Sequence, residues 1–222
     1  MNQFWIGFLG TYPPRKCGIA TFTRDLSTSL ISKYSPCLLS KIIAIKKKYD
    51  YQTYPNNVIY PIIEEDLKSY NLSAKKINSI EKLKVINIQH EFGIYGGDYG
   101  EYLIEFLETI QKPIVTTLHT IIPKPGQKMR KVLREISDLS TKLVVMNNLG
   151  INILRNDYKI DQDKIVVIPH GTPTIPFNEG QKFKDLMGFK NKIILASFGM
   201  MNSSKGYEYI IESLPPLIKG LG

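Results

Sequence analysis

At 222 residues the chain can bury one substantial core plus a smaller second unit, and its 43% hydrophobic and 22% charged residues exclude a disordered or fibrous class. The net charge of +9, from 29 basic and 20 acidic residues, asks for an anionic partner: a nucleotide substrate or an anionic membrane surface fits better than nucleic acid, since no aromatic-basic interleaving stands out. Met1-Asn2-Gln3 lacks a signal peptide's positive start, no apolar run approaches the ~20 residues that span a bilayer, and Cys17 and Cys37 make no disulfide framework, so a cytoplasmic location is expected.

The apolar run at 4–9 reads as a strand, and Phe22, Leu26, Leu30 and Ile31 read as one face of a helix with Thr21 as its N-cap. Between them lies GTYPPRKCGIATFTRDL, residues 10–26. Pro13 and Pro14 hold this loop extended, and Gly18 lets a ligand approach the backbone closely. A helix N-terminus after such a loop suits a phosphate or sugar hydroxyls, although a bare connection in an α/β sheet reads the same way. Gly7, Gly10 and Gly18 do not give GxGxxG, which argues against a nicotinamide or flavin cofactor. No sequence cue supplies Cys17 with an activating base, so it reads as a small loop residue and not as a nucleophile.

Further along, strands are expected at 38–45, 58–63, 84–89, 114–118, 142–146 and 165–168, with helices at 69–81, 99–111, 126–138 and 149–158. Leu72, Ile77 and Ile80 mark the first of these helices, and Asp98 with Glu101 has capping-box spacing for the second. The helix at 126–138 sets Lys128, Lys131 and Glu135 apart from Met129, Val132 and Leu133, as a solvated helix over a core or a membrane-contacting one would. Strand-helix alternation over this length argues for a doubly wound parallel sheet, whose strands end on one ligand-binding edge.

His90 and Glu91 follow one strand, His119 a second and His170 a third, so these polar residues share that edge with the Gly18 loop. Three histidines and a glutamate also compose a metal set, but no HxxxH-like pair supports it, and none is expected. His170 before Gly171 reads equally as a turn. Gly93, Gly96 and Gly97 make either a simple turn or a lid beside His90 and Glu91. Residues 171–185 have linker composition; a strand at 192–198 and the sequence GMMNSSKGYEYIIESLPPLI then repeat the strand-loop-helix logic, with Gly199, Lys205 and Gly206 at a phosphate-friendly turn.

The ordered set TYPPRKCGIATFTRDL, QHEFGIYGG, IVTTLHT, VVIPHG and SFG...SSKG resembles the retaining GT-B glycosyltransferases of family four, over nearly the whole chain. The resemblance implies an α/β fold: a Rossmann-like parallel sheet with helices on both faces at 1–170, a linker at 171–190, and at 191–222 the start of an incomplete second Rossmann-like domain. It implies transfer of a sugar, with retention, from a nucleotide-sugar donor to a sugar or lipid-linked acceptor, without an obligatory metal or cofactor. His119 would hydrogen-bond the transferred sugar as the catalytic residue. Cys17, Gly18, Ile19, His90 and Glu91 would line the donor and acceptor site, and Gly199, Lys205 and Gly206 would hold the donor diphosphate. Two departures stand out. Met200 follows Gly199 where the family commonly has Arg, and loss of one charge-assisted bond costs about 1.5–3 kcal/mol, roughly 10- to 100-fold in affinity. The family's ExxxxxxxE element would lie past Gly222, in the ~100–150 further residues a complete second domain needs, so a truncated member with weak or no turnover alone is expected. The alternative is a non-catalytic sugar- or partner-binding module. Contact with an anionic membrane at its cytoplasmic face is an expectation from charge only.

Overall fold

The computed structural model describes residues 3–172, 174, 176, 180–199 and 205–221. The chain divides into two compact units, residues 1–171 and 172–222.

The first unit is built on a sheet of seven strands in the order β3-β2-β1-β4-β5-β6-β7: β1 (Phe4–Gly10), β2 (Leu38–Lys46), β3 (Ile62–Ile63), β4 (Leu83–His90), β5 (Ile114–Leu118), β6 (Lys142–Val145) and β7 (Ile165–Val167). Every pairing is parallel. A parallel sheet is covered on both faces, so its central strands are apolar at successive positions and not only at alternate ones. In β1, Phe8 packs with Tyr12, Ile42 and Ala44 and with Leu26 and Leu30 of α1 (Gly18–Tyr34). Its neighbour Leu9 joins the opposite cluster, with Ile43, Ile86 and Ile88 and with residues of α2 (Leu67–Asn78), α3 (Tyr102–Thr109) and α4 (Gln127–Leu139). A third cluster under β5 to β7 joins Leu118, Leu143 and Val145 to Leu154 of α5 (Asn148–Asp157) and to Tyr158.

Gly7 is where β1 lets its neighbours close over it. A Cβ there would lie 2.8 Å from Ile86 Cδ1 and 3.1 Å from Ile43 Cδ1, inside the contact distance of carbon atoms. The strand order runs outward from β1 to β3 on one side and from β4 to β7 on the other, so the reversal falls between β1 and β4. Crevices of α/β proteins open at the carboxyl ends of the strands at such a point.

Several elements differ from their sequence-based bounds. Helix α1 starts at Gly18 and is capped by Cys17, not Thr21: Cys17 is extended (φ −155, ψ 160), and its Sγ accepts from the Ala20 N–H at 3.4 Å. Helix α2 starts at Leu67 because Asp66 Oδ1 accepts from the Lys68 N–H at 3.0 Å. Tyr70 takes the core position there, and Leu72 is 58% exposed. Only Ile62 and Ile63 of the run 58–63 pair as a strand, while Val58 makes a single bridge to Ile42. Before α3, Gly97 (φ 76), Tyr99 (φ 57) and Gly100 (φ 81) turn left-handed, which delays the helix until Tyr102.

Helix α4 turns Val132, Leu133 and Ile136 into the core, and its Lys128 contacts Asp98 and Glu101. Its apolar face is therefore covered by protein. No described helix is long and apolar enough to cross a membrane.

In the second unit, α6 (Gln181–Leu186) forms within the stretch read as a linker, and α7 (Tyr207–Leu221) accommodates Pro215 and Pro216. Residues 192–198, expected as a strand, are not one. A strand is held by its neighbours, and among the described residues this segment has none, so Ile193 and Phe198 stand 83% and 90% exposed.

Candidate functional site

Three loops meet at the carboxyl edge where the strand order reverses. The loop after β1 carries Thr11 to Cys17 and delivers the first turn of α1; β4 ends at His90 and is followed by Glu91; β5 is followed by His119. Gly18 and His119 are thus on the same edge of the sheet. One turn into α1, the ring of Phe22 sets its edge against His119, with centroids 4.7 Å apart at 88°. The same ring meets His170 at 5.1 Å.

His119 is held by a relay on β4. Its Nε2 lies 2.8 Å from Gln89 Oε1, and the Gln89 amide donates in turn to Asn87 Oδ1. With the amide oxygen as acceptor, Nε2 carries the proton and Nδ1 is left as an acceptor. The His119 backbone N–H donates to the His90 carbonyl at 3.0 Å, which fixes the strand exit as well as the ring. Burial, with His170 as a lesser cause, lowers the His119 pKa to about 4, so the imidazole is neutral at physiological pH.

His90 behaves differently from an edge residue. Its ring is fully buried, stacked on Tyr95 at 6.1 Å and edge-on to Phe92 at 5.0 Å, and neither nitrogen has a hydrogen-bond partner among the described residues. Burial first, and His119 second, bring its pKa down to about 3. Glu91 serves locally: Oε2 accepts from Thr120 Oγ1 at 2.5 Å and Oε1 from the Phe92 N–H at 3.0 Å, tying the exits of β4 and β5 together.

The glycine run is an anchored turn. Ile94 and Tyr95 are buried, the Tyr95 hydroxyl donates to the Gln89 carbonyl at 2.9 Å, and the Gly96 N–H donates to the Tyr70 hydroxyl at 3.0 Å. A Cβ on Gly96 would stand 2.0 Å from the Glu64 carbonyl. These ties leave no slack for the lid reading.

Gly18 is exposed, and a Cβ placed on it would meet nothing within 4 Å, so backbone and open space face one another there. Cys17 Sγ contacts Thr11 Oγ1 at 3.0 Å besides its cap, and Ile19 is half-buried against the core, its carbonyl accepting from Thr23 Oγ1 at 2.7 Å. His170 is exposed, its Nδ1 3.1 Å from the Gly171 carbonyl. Among the described residues no group of three or more His, Cys, Asp or Glu converges as a metal's ligands would. In the second unit Gly199 and Gly206 have φ of 139 and 64, and Lys205 is exposed in the turn before α7. Met200, Ser203 and Ser204 lie outside the described residues.

Sequence reading found the imidazoles but missed Asn87, Gln89, Phe22 and Thr120. Asn87 and Gln89 are two polar residues at i and i+2 of an otherwise apolar strand, INIQ, and so share one face; that alternation was the available signal. Nothing local marks Phe22, whose partners come from two other strands.

No protein-family model matches the chain, and neither does any curated protein. Among solved structures, a glycosyltransferase from Rickettsia africae is similar at 18% identity and a TM-score of 0.62, over 98% of this chain and 58% of that one. An α-glucosyltransferase solved with UDP-glucose and DNA containing an abasic site is similar at 15% identity and a TM-score of 0.53, over 78% of this chain and 44% of that one. The chain thus spans 58% and 44% of the lengths of these two neighbours, and what it shares with them is their fold.

Proposed function

We propose that the protein is a glycosyltransferase of the retaining GT-B kind, family four, which moves a sugar from a nucleotide-sugar donor onto an acceptor held at the β1/β4 crevice. The observation that carries this reading is the clamped imidazole: His119 is fixed on its Nε2 side by Gln89, is neutral, and lies against the first helical turn beyond Gly18. A neutral ring with Nδ1 unprotonated is suited to accept a hydrogen bond from a sugar hydroxyl. With a pKa near 4 it is poorly suited to carry a proton at pH 7. His119 is therefore assigned to orient the transferred sugar, and proton removal from the acceptor is left to the departing phosphate, with no metal or cofactor taking part. Gly18, with Cys17 and Ile19 beside it, offers backbone to the sugar-phosphate; Lys205, between Gly199 and Gly206, supplies the charge for the donor diphosphate. His90 supports the site through its backbone carbonyl and the packing of its ring, and Glu91 by bracing Thr120. UDP-glucose, bound by one structural neighbour, is the first donor to try. The setting proposed is the cytoplasm, with an anionic membrane surface as a peripheral contact.

The test is release of UDP from UDP-glucose, and of the corresponding nucleotide from other nucleotide sugars, in the presence of candidate acceptors. Removing one polar contact that strengthens in the transition state costs ~10²-fold or more in turnover. His119→Ala is expected to lose at least that much while its melting temperature stays close to wild type. Undiminished turnover in His119→Ala removes this residue from the mechanism. A second reading, a binding module without turnover, is favoured by Met200 standing where the resemblance expects a diphosphate-binding Arg. Calorimetry that records nucleotide-sugar binding with no hydrolysis or transfer for any donor would select it.

A further inference from the structure

The same β1 to α1 loop that leads to Gly18 also forms one wall of a cavity on the other side of β1. This open cavity, of about 690 Å³, is bounded on its other side by the segments that follow β2 and β3. That volume accommodates a small ligand. Four of its lining side chains are cationic: Arg15, Lys16, Lys47 and Lys48. Two are acidic, Asp50 and Glu65, and both are already engaged as acceptors.

Asp50 takes the Gln52 N–H at 3.1 Å and the Tyr54 hydroxyl at 3.3 Å; burial and the neighbouring carboxylate push the Tyr54 pKa up to about 12, which keeps it the donor. Glu65 takes the Lys48 N–H at 3.1 Å. Arg15 is neutralised outside the lining set by Glu64, at 2.8 Å. The Lys48 ammonium lies 5.7 Å from the centre of the Tyr49 ring, which is 74% exposed. Lys16 and Lys47, from two different loops, are left with no ion pair among the described residues. Two uncommitted ammonium groups on opposite loops, beside an exposed aromatic face, suit a group with several anionic oxygens on a ring or polyol.

We infer that this cavity binds a phosphate on the acceptor, so that sugar is transferred to a hydroxyl of a phosphorylated sugar or polyol and not to a neutral glycan; this rests on the transferase reading above. The phosphate can belong to a soluble sugar phosphate or to a phospholipid head group. A nucleic-acid backbone fits less well, because Asp50, Glu64 and Glu65 interrupt the basic residues where an extended phosphate chain needs a continuous stripe.

The experiment titrates the chain calorimetrically with glucose 6-phosphate and with glucose, and measures co-sedimentation with phosphatidylinositol and with phosphatidylcholine vesicles, with a short DNA duplex as a third probe. Glucose 6-phosphate or phosphatidylinositol is expected to bind at least ~10-fold more tightly than its uncharged counterpart, and the advantage to shrink with added salt. The double variant K16A/K47A is expected to lose about 10-fold or more of that affinity with an unchanged melting curve. Glu65→Gln, which keeps the acceptor for Lys48 N–H and removes a negative charge, is expected to tighten binding by about 2- to 3-fold. The tighter of the two phosphate probes identifies the source. Equal affinity for glucose and glucose 6-phosphate without any preference for phosphatidylinositol vesicles, indifference to K16A/K47A, or preferential capture of the duplex overturns the inference. Transfer onto neutral acceptors alone overturns it too and leaves the transferase reading in place, whereas binding that depends on Lys16 and Lys47 without transfer from any nucleotide sugar removes the transferase reading and the acceptor role together.

Discussion

The two flanks of the sheet edge are built on opposite principles. On the β4-β5 flank the polar side chains are held in place by protein: Asn87, Gln89 and His119 form one relay, Glu91 holds Thr120, and His90, whose nitrogens have no hydrogen-bond partner among the described residues, is sealed among aromatic rings. On the β2-β3 flank Lys16, Lys47 and Lys48 stand in solvent, and the first two have no ion-pair partner among the described residues. Committed, neutral groups fix geometry at a reacting centre, where a displacement of an ångström matters. Open, charged groups recognise a ligand from a distance but hold it loosely, because solvent screens them. The difference teaches that position, on one flank, and charge, on the other, are supplied by separate strands joined through β1.

Breaking the joint between the flanks should have the largest effect. The glycine turn that follows β4 reaches across to β3: Gly96 sits on the Glu64 carbonyl, and Glu64 in turn holds Arg15. A methyl group at 2.0 Å from a backbone oxygen forces one of the two chains to move, and overpacking of that kind costs typically 1–3 kcal/mol and occasionally more. Gly96→Ala is therefore expected to lose ~3 kcal/mol in urea unfolding, and to disturb both flanks together. A stability loss under ~0.5 kcal/mol would mean that the turn is free to shift, and the lid reading would return.

Acid should separate the flanks next. For His90 the folded pKa is near 3 and the unfolded one near 6.5, so between those values the unfolded chain binds the extra proton. Its contribution to stability is complete above pH 6.5 and is lost progressively as the pH falls towards 3, by on the order of 5 kcal/mol if the whole difference is expressed. His119 adds a smaller loss of the same sign, since its folded pKa is near 4 and it is less deeply buried. His90→Leu is expected to flatten the stability profile between pH 6.5 and 4 relative to wild type. It should also gain ~1 kcal/mol at pH 7, because two orphaned buried nitrogens are replaced by carbon. Identical acid midpoints for the two proteins would place His90 in contact with water or with a partner.

Such contrasts also mark what a sequence can show. Parallel strands with apolar residues at successive positions, such as FWIGFLG and LVV, declare burial on both faces, and the α/β architecture follows from their alternation with helices. Strand exits gave the imidazoles, because topology sends all carboxyl ends to one edge. Side-chain direction was not legible: His90 and His119 occupy the same kind of position, yet one ring is sealed in the interior and the other is held at the site. Partners set that outcome, Phe92 and Tyr95 in one case, Gln89 and Phe22 in the other, and pairs such as Phe22 with His119 are far apart in sequence. Helix starts were displaced for a local reason, since a cap is recognised by backbone geometry and thiols such as Cys17 are not usual caps. Residues 192–198 carry strand composition without a described neighbour to pair with, and composition alone does not supply one.

The smallest change tests the seam between the flanks at its most local point. Cys17 lies where the β1 loop becomes α1, between the Lys16 of one flank and the Gly18 of the other, and its sulfur does the work of an N-cap at 3.4 Å, a long contact from a weak acceptor. A serine oxygen is smaller and a better acceptor, and Ser ranks among the strongest N-caps. Cys17→Ser keeps the acceptor and the contact with Thr11, so it is expected to raise stability by roughly 0.5 kcal/mol and to leave both the proposed phosphate binding and the proposed sugar transfer unchanged. Loss of transfer in Cys17→Ser, with the fold intact by circular dichroism, would instead assign the thiol a chemical part in the reaction, and the seam would then belong to the reacting flank and not to the scaffold.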